Sequence, residues 1–228
     1  MQPKKFAQFT LSLHLRRKLH PGVCPPYETI DLIIAIQSSG YAEEEYSIVK
    51  TFLVDFIKEM VQLTSSDTRV KLLSFQEKPD PFGRSPKIGF KSPYAVIEKV
   101  EELKMSKGKG SSWFWTLNLI QKMVFAPNFG NREDAKDFIV LIVNDLPTDD
   151  SLYDATIPAR QLRDEGVKII VIGILPHDST TTRELFISKL FQITGSRDKI
   201  IIADGGAESF NDKLPSLPQA LCGQPCSD

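Results

Sequence analysis

The stretch Thr29–Glu45, TIDLIIAIQSSGYAEEE, decides the fold. Ile30, Leu32, Ile33, Ile34 and Ile36 make a nearly continuous apolar run, which suits a parallel strand covered on both faces. The turn Gln37-Ser38-Ser39-Gly40-Tyr41 follows, and then the acidic start of a helix. In an open α/β sheet such a turn lies at the carboxyl end of its strand, where ligands bind.

Outward from this stretch, helical and strand patterns alternate. Val49, Phe52, Leu53, Phe56 and Met60 predict a helix over about Ala42–Gln62. A strand over Arg69–Phe75 follows, and then a loop over Gln76–Lys87, rich in Pro, Gly and charge. Ile88–Phe90 reads as a short strand, Pro93–Glu102 as a helix, and Ser112–Phe125 as a further helix after a Lys/Gly loop. The remaining strands are Asp137–Val143, Lys168–Ile174 and Lys199–Ala203, and the helices between them are Ile157–Glu165 and Thr181–Gln192. A last helix from about Ala207 is interrupted by Pro215 and Pro218. The alternation predicts an α/β, doubly wound sheet with helices on both faces. There is no internal repeat, low-complexity tract or Asn-x-Ser/Thr sequon.

The segment Thr29–Glu45 resembles the opening of a von Willebrand factor A domain, also called integrin I-like. That family ends its first strand in a D-x-S-x-S metal motif and completes the site with a Thr and an Asp from two further loops. Here Gln37 stands at the Asp position, Ser39 at the first Ser and Tyr41 at the second. Gly108-Lys109-Gly110-Ser111-Ser112 resembles the Thr loop, with Ser111 at the Thr position. Val143-Asn144-Asp145-Leu146 resembles the last loop and keeps the Asp as Asp145. Thr68–Phe75 is similar to the family's second strand, and Ala159–Ile174 to its fifth helix and fifth strand. The resemblance covers residues 24–222 as one domain, with a basic tail at 1–23 and a short tail at 223–228. It implies a mostly parallel six-stranded sheet in the order 3-2-1-4-5-6, with Ile88–Phe90 as an antiparallel edge strand.

Mg²⁺ demands near-octahedral oxygen ligands at short distances. Gln37 brings no charge, and the Tyr41 side chain is too long to place its oxygen where a Ser hydroxyl would sit. Asp145 alone remains as a clear anionic ligand, so a site for Mg²⁺ or another divalent cation is expected to be weak or absent. No other cofactor is expected. The carboxylates of Asp145, Asp149, Asp150 and Asp154 offer a shifted cation site as one reading, and a capped turn or helix start as the blander one.

The chain has 228 residues and a net charge of −1. Residues 1–23 carry Lys4, Lys5, Arg16, Arg17 and Lys18 and no acid, which leaves 23 basic against 29 acidic residues in the rest. An acidic body argues against general nucleic-acid binding. No apolar run is long enough to span a membrane. The tail lacks the continuous apolar core of a signal peptide, and its alternation over Phe9–Leu15 fits a short strand.

The three cysteines, Cys24, Cys222 and Cys226, bracket the domain. Some secreted A domains join their ends by a disulfide, and Cys24 with Cys222 matches that arrangement. Closing so long a loop is worth about 4–5 kcal/mol in the chain-entropy model. Cys226 is then left to pair with another chain, or with Cys24 instead. Three free thiols in a cytosolic protein are the alternative.

Trp113-Phe114-Trp115 follows Ser112 on the face of the altered metal site. Trp113, Trp115 and Tyr41 are therefore candidate ligand contacts, since Trp and Tyr anchor interfaces. The other reading packs these rings under the first turn of their helix. Lys104, Lys107 and Lys109 attract an acidic partner or form a solvated loop. Ser39, Asp145 and His177 share the strand-end face, but a G-x-S-x-G elbow is missing and strands one and five lie about 10 Å apart. A serine hydrolase using Ser39 is therefore a lesser alternative. The first turn lacks G-x-G-x-x-G and no Walker loop occurs, so nucleotide binding is not expected. The expected function is a secreted, non-catalytic adhesion domain of the extracellular matrix. It would bind a protein ligand, collagen first among candidates, with little or no metal dependence. A spacer or assembly module of a larger matrix protein is the structural alternative.

Overall fold

In the computed structural model the described residues are 29–63, 67–77, 79–80, 91–108, 110–125, 128, 130–148, 152–175 and 180–213. The three cysteines, the tail 1–23, Ile88–Phe90, Lys109, Asp149, Asp150, His177, Pro215 and Pro218 lie outside them.

Five strands run parallel in one sheet: β1 (Thr29–Gln37), β2 (Asp67–Phe75), β4 (Lys136–Val143), β5 (Lys168–Leu175) and β6 (Ile200–Asp204). Their spatial order is β2-β1-β4-β5-β6. β1 is flanked by β2 and β4, and all of its residues after Thr29 are buried. That is why its sequence is apolar without a break. Successive side chains still go to opposite faces. Ile30, Leu32, Ile34 and Ile36 enter one core, whereas Ile33 and Ala35 enter the other.

Among the described residues the antiparallel edge lies elsewhere than expected. A two-residue segment, β3 (Pro79–Asp80), pairs with Ser74 and Phe75, and one further bridge joins Val70 to Lys91. The sheet proper is thus five parallel strands, not six of ordinary length. Pro79 has no N–H to extend a ladder, and Pro81 follows at once.

The helices cover both faces. On the first, α1 (Glu43–Leu63) buries Tyr46, Val49, Phe52, Leu53, Phe56 and Ile57, at helical spacing. Glu43, Glu44 and Glu45 occupy its first turn, where carboxylates favour the helix dipole. α2 (Pro93–Glu102) and the short α6 (Phe210–Lys213) complete that layer with Val96, Val100 and Phe210. On the second face lie α3 (Trp113–Leu119), α4 (Thr156–Asp164) and α5 (Thr180–Thr194). The helix expected over Ser112–Phe125 ends in a wider π turn, Ile120–Val124, which keeps Ile120 and Val124 buried. α5 lies close on β5 because Gly173 has no side chain: a Cβ there would stand 2.7 Å from Leu190 and 2.8 Å from Phe186.

The chain leaves β1 for β2 on one side and comes back to β4 on the other. That reversal opens a crevice at the carboxyl ends of β1 and β4, the place where such sheets bind ligands.

Candidate functional site

Three loops meet at this crevice. The β1–α1 turn brings Gln37, Ser38, Ser39 and Tyr41; the segment before α3 brings Gly110 and Ser111; the β4 end brings Asn144 and Asp145. Gln37, Ser39 and Ser111 are buried, with at most 1% of their surface exposed. The Gln37 amide lies between the loops. Its Oε1 accepts the Ser111 hydroxyl at 3.0 Å and the Asn144 backbone N–H at 3.4 Å. Its Nε2 donates to the Ser39 carbonyl at 3.3 Å. The Ser39 hydroxyl donates to the Gly110 carbonyl at 2.6 Å. The Ser111 hydroxyl also accepts the Trp113 indole N–H at 3.0 Å. Thr148 closes the group, taking the Ser111 N–H on its hydroxyl at 3.0 Å and giving its own N–H to the Ser111 carbonyl at 2.8 Å.

Gly40 turns the chain at a φ of 82°, and a Cβ on it would stand 3.1 Å from the Asn144 side-chain nitrogen. Asp145 is exposed and accepts the N–H of Leu146 at 2.7 Å. Among the described residues, Asn144 Oδ1 and the Tyr41 hydroxyl are buried without a hydrogen-bond partner. No three His, Cys, Asp or Glu side chains among the described residues gather as a metal ion would need.

The expected aromatic patch divides in three. Tyr41 is buried in the α1-side core, its ring 5.4 Å from that of Tyr46. Burial first, and then the neighbouring Tyr46 and Glu45, push its hydroxyl well above the usual tyrosine range. Trp113 is buried in the opposite core against Phe186, since its indole N–H finds Ser111 inside. Neither ring is open to a partner. Trp115 alone of the three is half exposed, at 38%.

Trp115 has companions that the sequence did not reveal. Its ring, Phe114 and Tyr153 pack together, with centroids 5.1 to 5.3 Å apart. Tyr153 is 39% exposed and Leu152 beside it 78%. The sequence signal was the apolar pair Leu152-Tyr153 in the acidic run from Asp149 to Asp154, yet its meeting with α3 needs the tertiary fold. Asp154 accepts the Thr156 N–H at 2.9 Å at the start of α4, and the Thr156 hydroxyl and amide hold its carboxyl below the usual range. Lys104 and Lys107 are exposed on their loop.

A second polar cluster, unforeseen in the sequence, lies at the amino end of the sheet. Asp31 on β1 is fully buried and accepts the Arg132 N–H at 3.1 Å, Nε at 3.0 Å and Nη2 at 2.6 Å. Arg132 Nη2 also reaches the Ile30 carbonyl at 2.8 Å. Asp137 is the register partner of Asp31 on β4. Burial, joined by the Asp31 charge and opposed by Asn131 and Arg132, pushes its carboxyl up to about 6.

The family model described as von Willebrand factor type A domain matches residues 31–198, most of the chain. The chain belongs to this family. Relatives of this A domain include the collagen alpha-6(VI) chains of Mus musculus and Homo sapiens. Each is 26% identical to it, over 92% and 86% of the domain's chain respectively. The chain spans only 9% and 8% of those two proteins. Among solved structures, proximal thread matrix protein 1 from the mussel byssus, determined with a zinc-occupied MIDAS motif, superposes with a TM-score of 0.70. It is 15% identical, and the match covers 86% of this A domain and 49% of that chain. That likeness supports the fold. No helix among the described residues is long and apolar enough to cross a membrane.

Proposed function

We propose that this A domain is a non-catalytic adhesion module of the extracellular matrix. It binds a protein ligand, collagen first among candidates, with little or no dependence on a divalent cation. The observation that carries this reading is the half-exposed group of Phe114, Trp115 and Tyr153 beside a strand-end site whose inner donors are neutral. Aromatic anchors of this kind supply most of the binding energy at protein interfaces. The similarity to two collagen VI chains supports the setting. Catalysis by Ser39 has little support, because its hydroxyl is buried and donates to a backbone carbonyl instead of to a base. In this reading the domain runs over 24–222, Cys24 pairs with Cys222, and Cys226 is left for another chain.

The test is binding to immobilised fibrillar collagen in Mg²⁺ and in EDTA. Binding is expected to survive EDTA. Trp115→Ala is expected to weaken it about tenfold or more, the cost of losing an anchor worth about 1.4 kcal/mol or above. Asp145→Ala is expected to change it less than about twofold. Binding lost in EDTA and in Asp145→Ala would overturn the metal-free reading. Absence of binding in both buffers would favour an assembly module, a reading supported by the great length of the matched collagen chains. A disulfide-linked dimer on non-reducing gels would then be expected through Cys226.

A further inference from the structure

We infer that Gln37 is a positioning residue whose side-chain amide ties the three strand-end loops together at the place where the family resemblance puts a cation. The inference concerns the protein alone, so it stands or falls separately from the identity of the ligand.

The geometry is that of a closed circuit. One amide joins the β1–α1 turn through the Ser39 carbonyl, the segment before α3 through the Ser111 hydroxyl, and the end of β4 through the Asn144 N–H. A cation at such a crossing holds loops by collecting their oxygens. Here an acceptor and a donor on one side chain do the same with hydrogen bonds. Indole and hydroxyl partners complete the circuit, since Trp113 donates to Ser111 and Ser39 donates to Gly110.

The residues present do not fit a hard divalent cation. Such an ion gives up its water for several oxygens, with one or more carboxylates among them. The Gln37 oxygen already has two donors, and the Ser111 hydroxyl both donates and accepts within the circuit; the Ser39 hydroxyl gives its proton to Gly110 and offers a cation only a neutral oxygen. Asn144 Oδ1 and the Tyr41 hydroxyl lack partners among the described residues, but both are neutral. Asp145 is the only carboxylate at the carried-over positions, and it lies in solvent on the Leu146 N–H. A cation at the crossing would have to take oxygens from the circuit and bury its charge with no buried carboxylate there, among the described residues, to meet it.

Two measurements on the whole chain test this. The first is thermal unfolding in 5 mM Mg²⁺, 5 mM Mn²⁺ or EDTA, a concentration about a hundredfold above the dissociation constant of a working site of ~50 μM, which would raise the midpoint by roughly 5 °C or more. The expected shift is below about 1 °C, and Gln37→Ala is expected to lower the midpoint by about 3 °C or more in all three buffers. The second is fluorescence in a Trp115→Phe background, which leaves Trp113 as the sole tryptophan. Gln37→Ala is expected to shift Trp113 emission, because it frees the hydroxyl that receives the indole N–H, whereas Mg²⁺ is expected to leave emission unchanged. Should Gln37→Ala fail to fold, Ser111→Ala serves the same comparison. A cation-dependent rise in the wild-type midpoint that Asp145→Ala removes would overturn the inference. So would a Gln37→Ala protein with unchanged midpoint and unchanged Trp113 emission.

Discussion

The two ends of the sheet solve the same problem with opposite chemistry. At the carboxyl end the polar groups of the circuit are neutral: the Gln37 amide, the Ser39 and Ser111 hydroxyls and the Trp113 indole bond to one another and to backbone groups. At the amino end the buried groups are charged, with Asp31 held by Arg132 and Asp137 beside it. Both arrangements join segments distant in sequence. They differ in what happens when a partner is lost. A neutral group left alone costs its desolvation, about 1–3 kcal/mol, whereas a buried charge left alone costs about 3–5 kcal/mol. The carboxyl end is therefore expected to tolerate change better than the amino end.

The largest effect is therefore expected at the amino end. Arg132→Ala would strand the Asp31 carboxylate and lower stability by about 3–5 kcal/mol, measured by denaturant unfolding. Asp31→Asn with Arg132→Ala together is expected to recover part of that loss, because the unpaired charge is gone. At the carboxyl end, Ser111→Ala is expected to cost about 1–3 kcal/mol, since the Trp113 indole N–H and the Gln37 oxygen each lose a partner. A loss above that of Arg132→Ala would break the comparison.

A smaller effect is expected at Asp137, and its pH dependence has a definite sign. The folded carboxyl titrates at about 6, above its ordinary value of 3.8. Between these values the folded chain holds a proton that the unfolded chain has released. Stability should therefore fall as pH rises through this window and level off above about 6. Asp137→Asn should flatten that slope and raise stability near pH 7 by about 1 kcal/mol or less, as the group is only partly buried and water screens it. Thermal melts from pH 4 to pH 8 read this out, and a wild-type slope of opposite sign would contradict it. The smallest effect is expected for Asp145→Ala, within about 0.5 kcal/mol, because the residue is exposed.

The contrast also explains what was legible in the sequence. Strands buried on both faces must be apolar throughout, so β1, β4 and β5 announce themselves. The positions around Gln37 were legible as departures from a family pattern. What the amide does there was not, because its partners Ser111 and Asn144 lie 74 and 107 residues away. Trp113 and Trp115 look alike in the sequence, and only the placement of the Ser111 hydroxyl inside the fold separates the buried ring from the open one. At the edge of the sheet the described antiparallel pairing falls on Pro79–Asp80, a place with no apolar pattern to mark it, whereas the apolar triplet Ile88–Phe90 lies outside the described residues. Arg132 carried no local sign at all.

The pairing of Arg132 with Asp31 also has a place in time. Its partners are 101 residues apart, and the bond forms only when β1 and β4 already lie side by side. Contacts of such span need the long loops between them to close first, so this bridge is expected to form late in assembly. Its removal is then expected to appear almost wholly as faster unfolding, with the rate of folding nearly unchanged. In that sense it would act as a latch on the finished molecule, setting how long a folded copy lasts and not how quickly one is made.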